Sequence, residues 1–365
     1  MASLSGDGSV INLSKIQIGI EEKIMVKRVL DSGMLAQGRR VKEFEEKFAK
    51  LCGTKYAIAV NSGTAAIHCA LYAIGIKKDD EVITIPFTFV ATANPILMQG
   101  GKIVFVDVDE KTFNIDPKQI ESKITNRTKA IIAVNLYGQP ANYKALRTIA
   151  NKYNLKIVED ACQSHMAEYD DKMSGNLGNI GCFSFYATKN LCCGEGGMIT
   201  TNNAEWAEQC KRFRHHGQSE KTKYEYHDLG YNYRMTDLTA SIGLIQLERL
   251  PLLTNRRIIN AGTLTEGLKD VKGVTPPYQM IGTKHVFHQY TLKCKDRDKV
   301  QESLKEHDIQ SGIYYPKPLH LHPFFKGKDG DFPVSERLAK EVLSIPVHPS
   351  LTDKDLKLII EAVKK

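Results

Sequence analysis

Short apolar runs alternate with amphipathic stretches from residue 56 to residue 160. YAIAV (56–60), EVITIP (81–86), KIVFVDVD (102–109), KAIIAVNLYG (129–138) and LKIVED (155–160) read as strands. GTAAIHCALYAIG (63–75), TFVATANPILMQGG (88–101), PKQIESKI (117–124) and PANYKALRTIANKYN (140–154) read as the helices between them. Strands apolar along their whole length, separated by helices, predict a mostly parallel sheet covered on both faces. Two helices precede it. IEEKIMVKRVLDSG is stopped by Gly33, and VKEFEEKFAKLCG carries Phe44, Phe48, Leu51 and Cys52 on one stripe with Gly53 as its cap. CFSFYAT (182–188) and MITT (198–201) read as two further strands around the turn GEGG.

The pattern changes near residue 250. LERLPLLTNRRIINAGTLTEGL (247–268) reads as a long helix broken at Pro251. HQYTLKC is a strand, and DKVQESLKEH, SERLAKEVLS and TDKDLKLIIEAVKK are helices. The organisation expected is a loose tail (1–10), a large α/β domain (11–250) and a smaller α+β domain (251–365) packed closely on it.

Sheets of this kind bind ligands beyond the C-terminal ends of their strands. Three such ends carry candidate chemistry. NSGTAAI (61–67) opens a helix whose free backbone N–H groups suit a phosphate, although Ser and Thr there also fit a plain N-cap. VEDACQSH (158–165) ends a strand with Glu159 and Asp160. A carboxylate there can pair with a protonated ring nitrogen or be a solvated loop acid. FSFYATKN (183–190) ends in Lys189, five residues after Ser184 and before GEGG. That lysine is either a surface charge or an amine partly desolvated for chemistry. Pyridoxal phosphate requires all three together: a phosphate cradle, an acid for the pyridine nitrogen and a lysine for the aldehyde.

The ordered motifs NSGTAAI, PFTFVATAN, VEDACQSH, FSFYATKN, GEGGM, RHHG and GYNYRMTD resemble the DegT/DnrJ/EryC1/StrS sugar aminotransferases, from about residue 12 to near the C-terminus. The resemblance implies the aspartate aminotransferase-like fold (pyridoxal phosphate fold type I) and a homodimer with shared active sites. By resemblance, Lys189 forms the Schiff base, Asp160 faces the pyridine nitrogen and Gln163 sits near the ring hydroxyl. Gly63, Thr64, Ala65 and Ser184 fall at phosphate-binding positions, and Phe89 stacks on the ring. Asn232 reaches the phosphate of the other subunit. Tyr314, Tyr315 and His320, in GIYYPKPLHLHP, match the loop lining the sugar pocket, with ordinary packing as the alternative. Met166 stands where a glycine is usual, and Cys162 reads as a small buried filler.

Lysine rather than histidine at 189 favours transamination over removal of a hydroxyl. Glutamate is the implied amino donor, and a nucleotide-linked keto-hexose the acceptor. Gly63-Thr64-Ala65 resembles the 4-keto branch, whereas Gly-Thr-Asp is frequent among 3-keto enzymes. The alternatives are a 3-keto sugar, a keto-cyclitol, or a non-enzymatic regulator.

Composition narrows this only a little. Hydrophobic residues make up 42% and charged residues 25%, as in ordinary globular proteins. The net charge of +8 is spread along the chain, which argues against nucleic acid and suits anionic substrates. No apolar run is long enough to span a membrane. The start lacks signal-peptide features, and the eight scattered cysteines contain no CxxC pair. A cytoplasmic protein with free thiols and no metal is expected.

Overall fold

The computed structural model describes residues 10–219 and 224–365. Of the expected tail only Val10 lies among them. Helices α1 (Ile20–Ser32) and α2 (Arg39–Cys52) end as their sequences require. Gly33 and Gly53 follow them in the left-handed region, at φ 69° and 66°. Phe44, Phe48 and Cys52 on α2 are buried beneath the sheet edge.

The alternating region runs β1 (Tyr56–Val60), α3 (Gly63–Ala73), β2 (Glu81–Thr84), α4 (Asn94–Met98), β3 (Lys102–Phe105), β4 (Thr128–Val134), α5 (Tyr143–Tyr153) and β5 (Lys156–Asp160). A small hairpin follows, β6 (Glu168–Tyr169) and β7 (Lys172–Met173). Then come β8 (Ile180–Ser184), β9 (Gly197–Thr201), α6 (Ala204–Arg214) and α7 (Asp237–Leu268). The central sheet has the order β1-β9-β8-β5-β4-β2-β3. Strands β3, β2, β4, β5 and β8 are mutually parallel, and β9 is antiparallel to both β8 and β1.

Both faces of the sheet are covered. Ile131 and Ile157 belong to one buried cluster, with Tyr143 and Leu146 of α5. Their sequence neighbours Ile132 and Val158 belong to another, with Leu71 of α3 and Phe213 of α6. Successive strand residues point to opposite faces, so unbroken apolar strands are what two covered faces demand. Each such side chain contributes about 1.5–3 kcal/mol by burial.

The rest forms β10 (Val274–Thr275), β11 (Thr283–Lys284), β12 (Tyr290–Cys294), α8 (Arg297–Glu306), α9 (Pro333–Glu341), β13 (Val342–Ile345) and α10 (Asp353–Lys364). Strands β10, β12 and β13 make a second sheet, while β11 joins β6 and β7. A separate core holds it together, including Leu264, Leu292, Leu343 and Ile359, and Ile11 from the N-terminal segment packs into it.

Several expectations change. PKQIESKI forms two single 3₁₀ turns, Pro117–Gln119 and Glu121–Lys123. TFVATANPILMQGG shrinks to a 3₁₀ turn, Val90–Thr92, and the five-residue α4. The end of SERLAKEVLS is the strand β13, because Val342, Leu343 and Ser344 pair with Lys293, Leu292 and Thr291 of β12. The helix over Pro251 is unbroken for 32 residues and starts ten residues earlier than the apolar pattern suggested, capped by the Thr236 side chain. The expected join at 250/251 therefore falls inside one helix. We propose that the smaller domain begins within α7, since Ala261, Leu264 and Leu268 already belong to its core.

Candidate active site

A cavity of about 830 Å³ opens at the C-terminal ends of β1, β5 and β8. Its walls include Gly63, Thr64, Phe89, Asp160, Gln163, Ser184, Lys189, Tyr314 and Tyr315. Residues from five distant stretches are thus brought to one place.

Lys189 lies beyond the end of β8, in a loop whose backbone is turned by Lys189 N–H donating to Tyr186 O at 2.9 Å. Enclosure lowers its amine below the ordinary lysine value, against the opposing pull of the Cys162 thiol and the Asp160 carboxylate. A neutral amine is thereby made more accessible, which suits a nucleophile.

Asp160 and Glu159 point to opposite sides of β5. Asp160 is buried on the cavity side, where Oδ2 accepts from Thr92 Oγ1 at 2.7 Å and Oδ1 from Cys162 N at 3.2 Å. Glu159 is wholly buried and accepts from Asn135 Nδ2, Ser174 Oγ and the backbone N–H groups of Gly175 and Leu177, at 2.7–3.1 Å. Burial raises its carboxyl pKa, and these bonds partly offset that. Glu159 is a structural staple, and Asp160 the acid available to a ligand.

The phosphate candidates sit where β1 turns into α3. Ser62 caps the helix, its Oγ accepting from Ala65 N at 3.1 Å. Gly63 and Thr64, in the first turn of α3, have no intrahelical acceptor for their N–H groups, and both line the cavity. A Cβ on Gly63 would fall 2.8 Å from Ser184 Cβ and 3.0 Å from Cys162 Sγ. Only glycine lets these three motifs meet. The GEGG turn has a similar use: a Cβ on Gly197 would lie 2.3 Å from Ser62 O.

Gln163 Oε1 accepts from Tyr137 N at 2.8 Å, and its Nε2 donates to Tyr315 Oη at 3.4 Å. The Phe89 and Tyr315 rings stack with centroids 6.2 Å apart. Tyr137 Oη donates to Tyr314 O. The C-terminal segment is thereby fastened over the cavity.

Three expected site residues lie elsewhere. Ala65 is buried in α3, outside the cavity wall, with its N–H spent on the Ser62 cap. His320 is buried too, but its Nε2 pairs with Glu336 Oε1 at 2.8 Å, organising the 320–336 loop rather than lining the cavity. Asn232 is exposed and outside this chain's own cavity, and its carbonyl accepts from Asn61 Nδ2 at 3.4 Å. Cys162 proves to be a cavity-wall residue rather than a filler. Met166 does adopt the glycine-like backbone, at φ 66°. For a residue with a side chain this costs about 1–2 kcal/mol, offset here by packing against the α2 core.

The sequence reading missed Thr92, Tyr186, Glu195 and His288 in the wall. Thr92 was discoverable from its place in PFTFVATAN. His288 was not, because its strand reads as ordinary core. Trp206 packs on the α3–α6 core, and His215 Nδ1 contacts Arg234 Nη1 at 2.6 Å.

A lysine of lowered pKa, a buried carboxylate and helix-start N–H groups beside a serine are the groups that pyridoxal phosphate needs. The model of the DegT/DnrJ/EryC1/StrS aminotransferase family matches residues 17–364. The chain belongs to this family. It is therefore an aminotransferase dependent on pyridoxal phosphate, with the fold that the sequence suggested. A "Pleiotropic regulatory protein" of Geobacillus stearothermophilus is 43% identical over 97% of both chains. The UDP-2-acetamido-2-deoxy-3-oxo-D-glucuronate aminotransferase of Pseudomonas aeruginosa is 38% identical, over 97% of this chain and 98% of its own. The crystal structure of Streptomyces venezuelae DesV in complex with a ketimine intermediate aligns with a TM-score of 0.92 and 35% identity, over 94% of each chain.

Proposed function

We propose that this aminotransferase moves an amino group from glutamate to the ketone of a nucleotide-linked keto-hexose. The observation that carries the reading is that Lys189, buried Asp160 and the Gly63-Thr64 helix start line one cavity. A volume of about 830 Å³ has room for a sugar beside the cofactor.

Pyridoxal phosphate, when bound, supplies a carbonyl to capture the amino group and a ring that accepts the electrons left at the donor carbon. The residues of the chain do the rest. Lys189 is the residue that would hold the cofactor. Its Nζ, as a positioned general base, would take the proton from the donor Cα. Asp160, fixed by Thr92 and by Cys162 N–H, would keep a proton on the ring nitrogen. Gly63, Thr64 and Ser184 would hold the phosphate, Phe89 would stack on the ring, and Gln163 would serve its hydroxyl. Tyr314 and Tyr315 face the sugar. Asn232, exposed and outside the wall of its own cavity, would serve the neighbouring subunit of a homodimer.

We infer a 4-keto acceptor from Gly63-Thr64-Ala65. A 3-keto acceptor is the second reading, favoured by the 3-oxo substrate named for the Pseudomonas relative. The test is release of 2-oxoglutarate from glutamate with a panel of UDP- and dTDP-linked 3-keto and 4-keto hexoses and a keto-cyclitol. Turnover with the 4-keto sugars alone supports the first reading; turnover with 3-keto sugars replaces it. Lys189→Ala is expected to lower turnover by about 10⁴-fold or more. Steady-state turnover retained in that variant would sink the assignment.

A further inference from the structure

A second, much smaller cavity of about 30 Å³ adjoins the first. Thr188 and Lys189 line both. Its other walls include Lys15 and Gln17 of the N-terminal segment and Gln246 and Arg257 on α7. Arg257 is only 7% exposed. Its guanidinium has one weak protein partner, Nη1 donating to Phe287 O at 3.4 Å, and forms no ion pair among the described residues. The other deeply buried arginine, Arg214, differs: its Nη1 meets Glu45 Oε1 at 2.5 Å and Ala59 O at 2.7 Å. Leaving a buried guanidinium without an anion costs several kcal/mol.

The surroundings do not supply that anion. Glu22 near the cavity is taken by Arg249 and Gln246. Asp160 lines only the larger cavity and is held by Thr92 and Cys162 N–H. The amines of Lys15 and Lys189, which also line the cavity, supply no negative charge. Burial lowers the pKa of Arg257 itself to about 10 and keeps the adjacent His288 and His348 neutral, with Arg257 adding to both effects on the histidines.

We propose that this cavity is the carboxylate subsite for the amino donor, with Arg257 as its anion-binding residue. The inference rests on the reading that the donor is an amino acid. A cavity of about 30 Å³ takes a carboxylate and excludes a sugar ring. A carboxylate matches the planar fork of a guanidinium. In an α-amino acid the carboxylate carbon is two bonds from the nitrogen. Its subsite must therefore border the lysine that the nitrogen displaces, and this cavity does.

The test uses holoenzyme and compares Arg257→Gln and Arg257→Lys with wild type. Each half-reaction is followed separately by absorbance, one with glutamate and one with the keto sugar. Glutarate binding is measured by calorimetry as a readout independent of turnover. In Arg257→Gln, kcat/KM for glutamate should fall about 100-fold, chiefly through KM, and glutarate affinity should fall in parallel. The keto-sugar half-reaction should change less than about 3-fold. Arg257→Lys, which keeps the charge and loses the fork, should fall between and guards against misfolding of the Gln variant. Equal losses in both half-reactions would mean a structural role and overturn the proposal, as would unchanged glutamate and glutarate constants. Inorganic phosphate that competes with the keto sugar, and loses that competition in Arg257→Gln, would assign the residue to the substrate phosphates and also overturn it. If wild type takes its amine only from a donor lacking a carboxylate, the donor reading fails first and the subsite with it.

Discussion

Gly63 is the residue on which three motifs converge. Its missing side chain lets Ser184 and Cys162 approach the start of α3 to about van der Waals contact. Gly63→Ala should push Ser184 away from the helix-start N–H groups. The expected outcome is a rise of at least about tenfold in the dissociation constant for pyridoxal phosphate, with the fold retained, read by fluorescence titration. An unchanged constant would mean that the phosphate binds elsewhere. Lys189, Asp160 and Gly63 were legible because each stands in an ordered motif at a strand end. Ala65 and His320 were legible as motif members, yet their surroundings were not. The Ser62 cap consumes the Ala65 N–H, and Glu336 turns His320 away from the cavity. Arg257 carried no signal at all. A basic residue within a helix is ordinary until its neighbours are known.

Among the elements, α7 departs most from local expectation. Proline inside a helix removes one backbone hydrogen bond and clashes with the preceding turn, which predicts a break. The helix continues because flanking residues anchor it. Leu250 is fully buried in the core under α2, and Thr254 and Arg257 are buried on the next turns. Pro251 itself faces solvent. Pro251→Ala should therefore restore the bond without disturbing packing and stabilise the protein by about 1 kcal/mol. A urea titration checks the gain; a loss would mean that the proline stabilises this helix in its packed setting. β13 shows the same override in the other direction. VLSI has no period that separates strand from helix end, and pairing with β12 decides.

For the whole molecule, acid sensitivity follows from buried neutral histidines. Burial lowers the pKa of His68 and His348 to about 4, and of His165 and His285 to about 3. The unfolded chain binds these protons near pH 6.5, so each group's stability contribution is present above that pH. It is lost as pH falls from about 6.5 toward the folded values, at up to about 1.4 kcal/mol per pH unit for each histidine. The melting temperature of the cofactor-free protein should thus drop steadily between pH 7 and pH 5. A flat profile across that range would show that these rings find proton acceptors as the protein is acidified. His165→Phe, which fills the same apolar site beside Phe183 and Phe185, should flatten part of the slope.

Binary pattern and motif order were enough for the covered parallel sheet, the cofactor and the family, since those depend on local periodicity and on residue types at strand ends. Both strand faces had to be apolar, and each chemical group had to follow a strand. What tertiary structure decided was which side chains are spent and which are free. Glu159 is consumed by buried donors while its neighbour Asp160 is left for a ligand. Asn232 is turned out toward solvent. Arg257 is carried into a cavity without a carboxylate. Hydrogen-bond partners and charge pairing are contacts between distant stretches, and no local pattern encodes them.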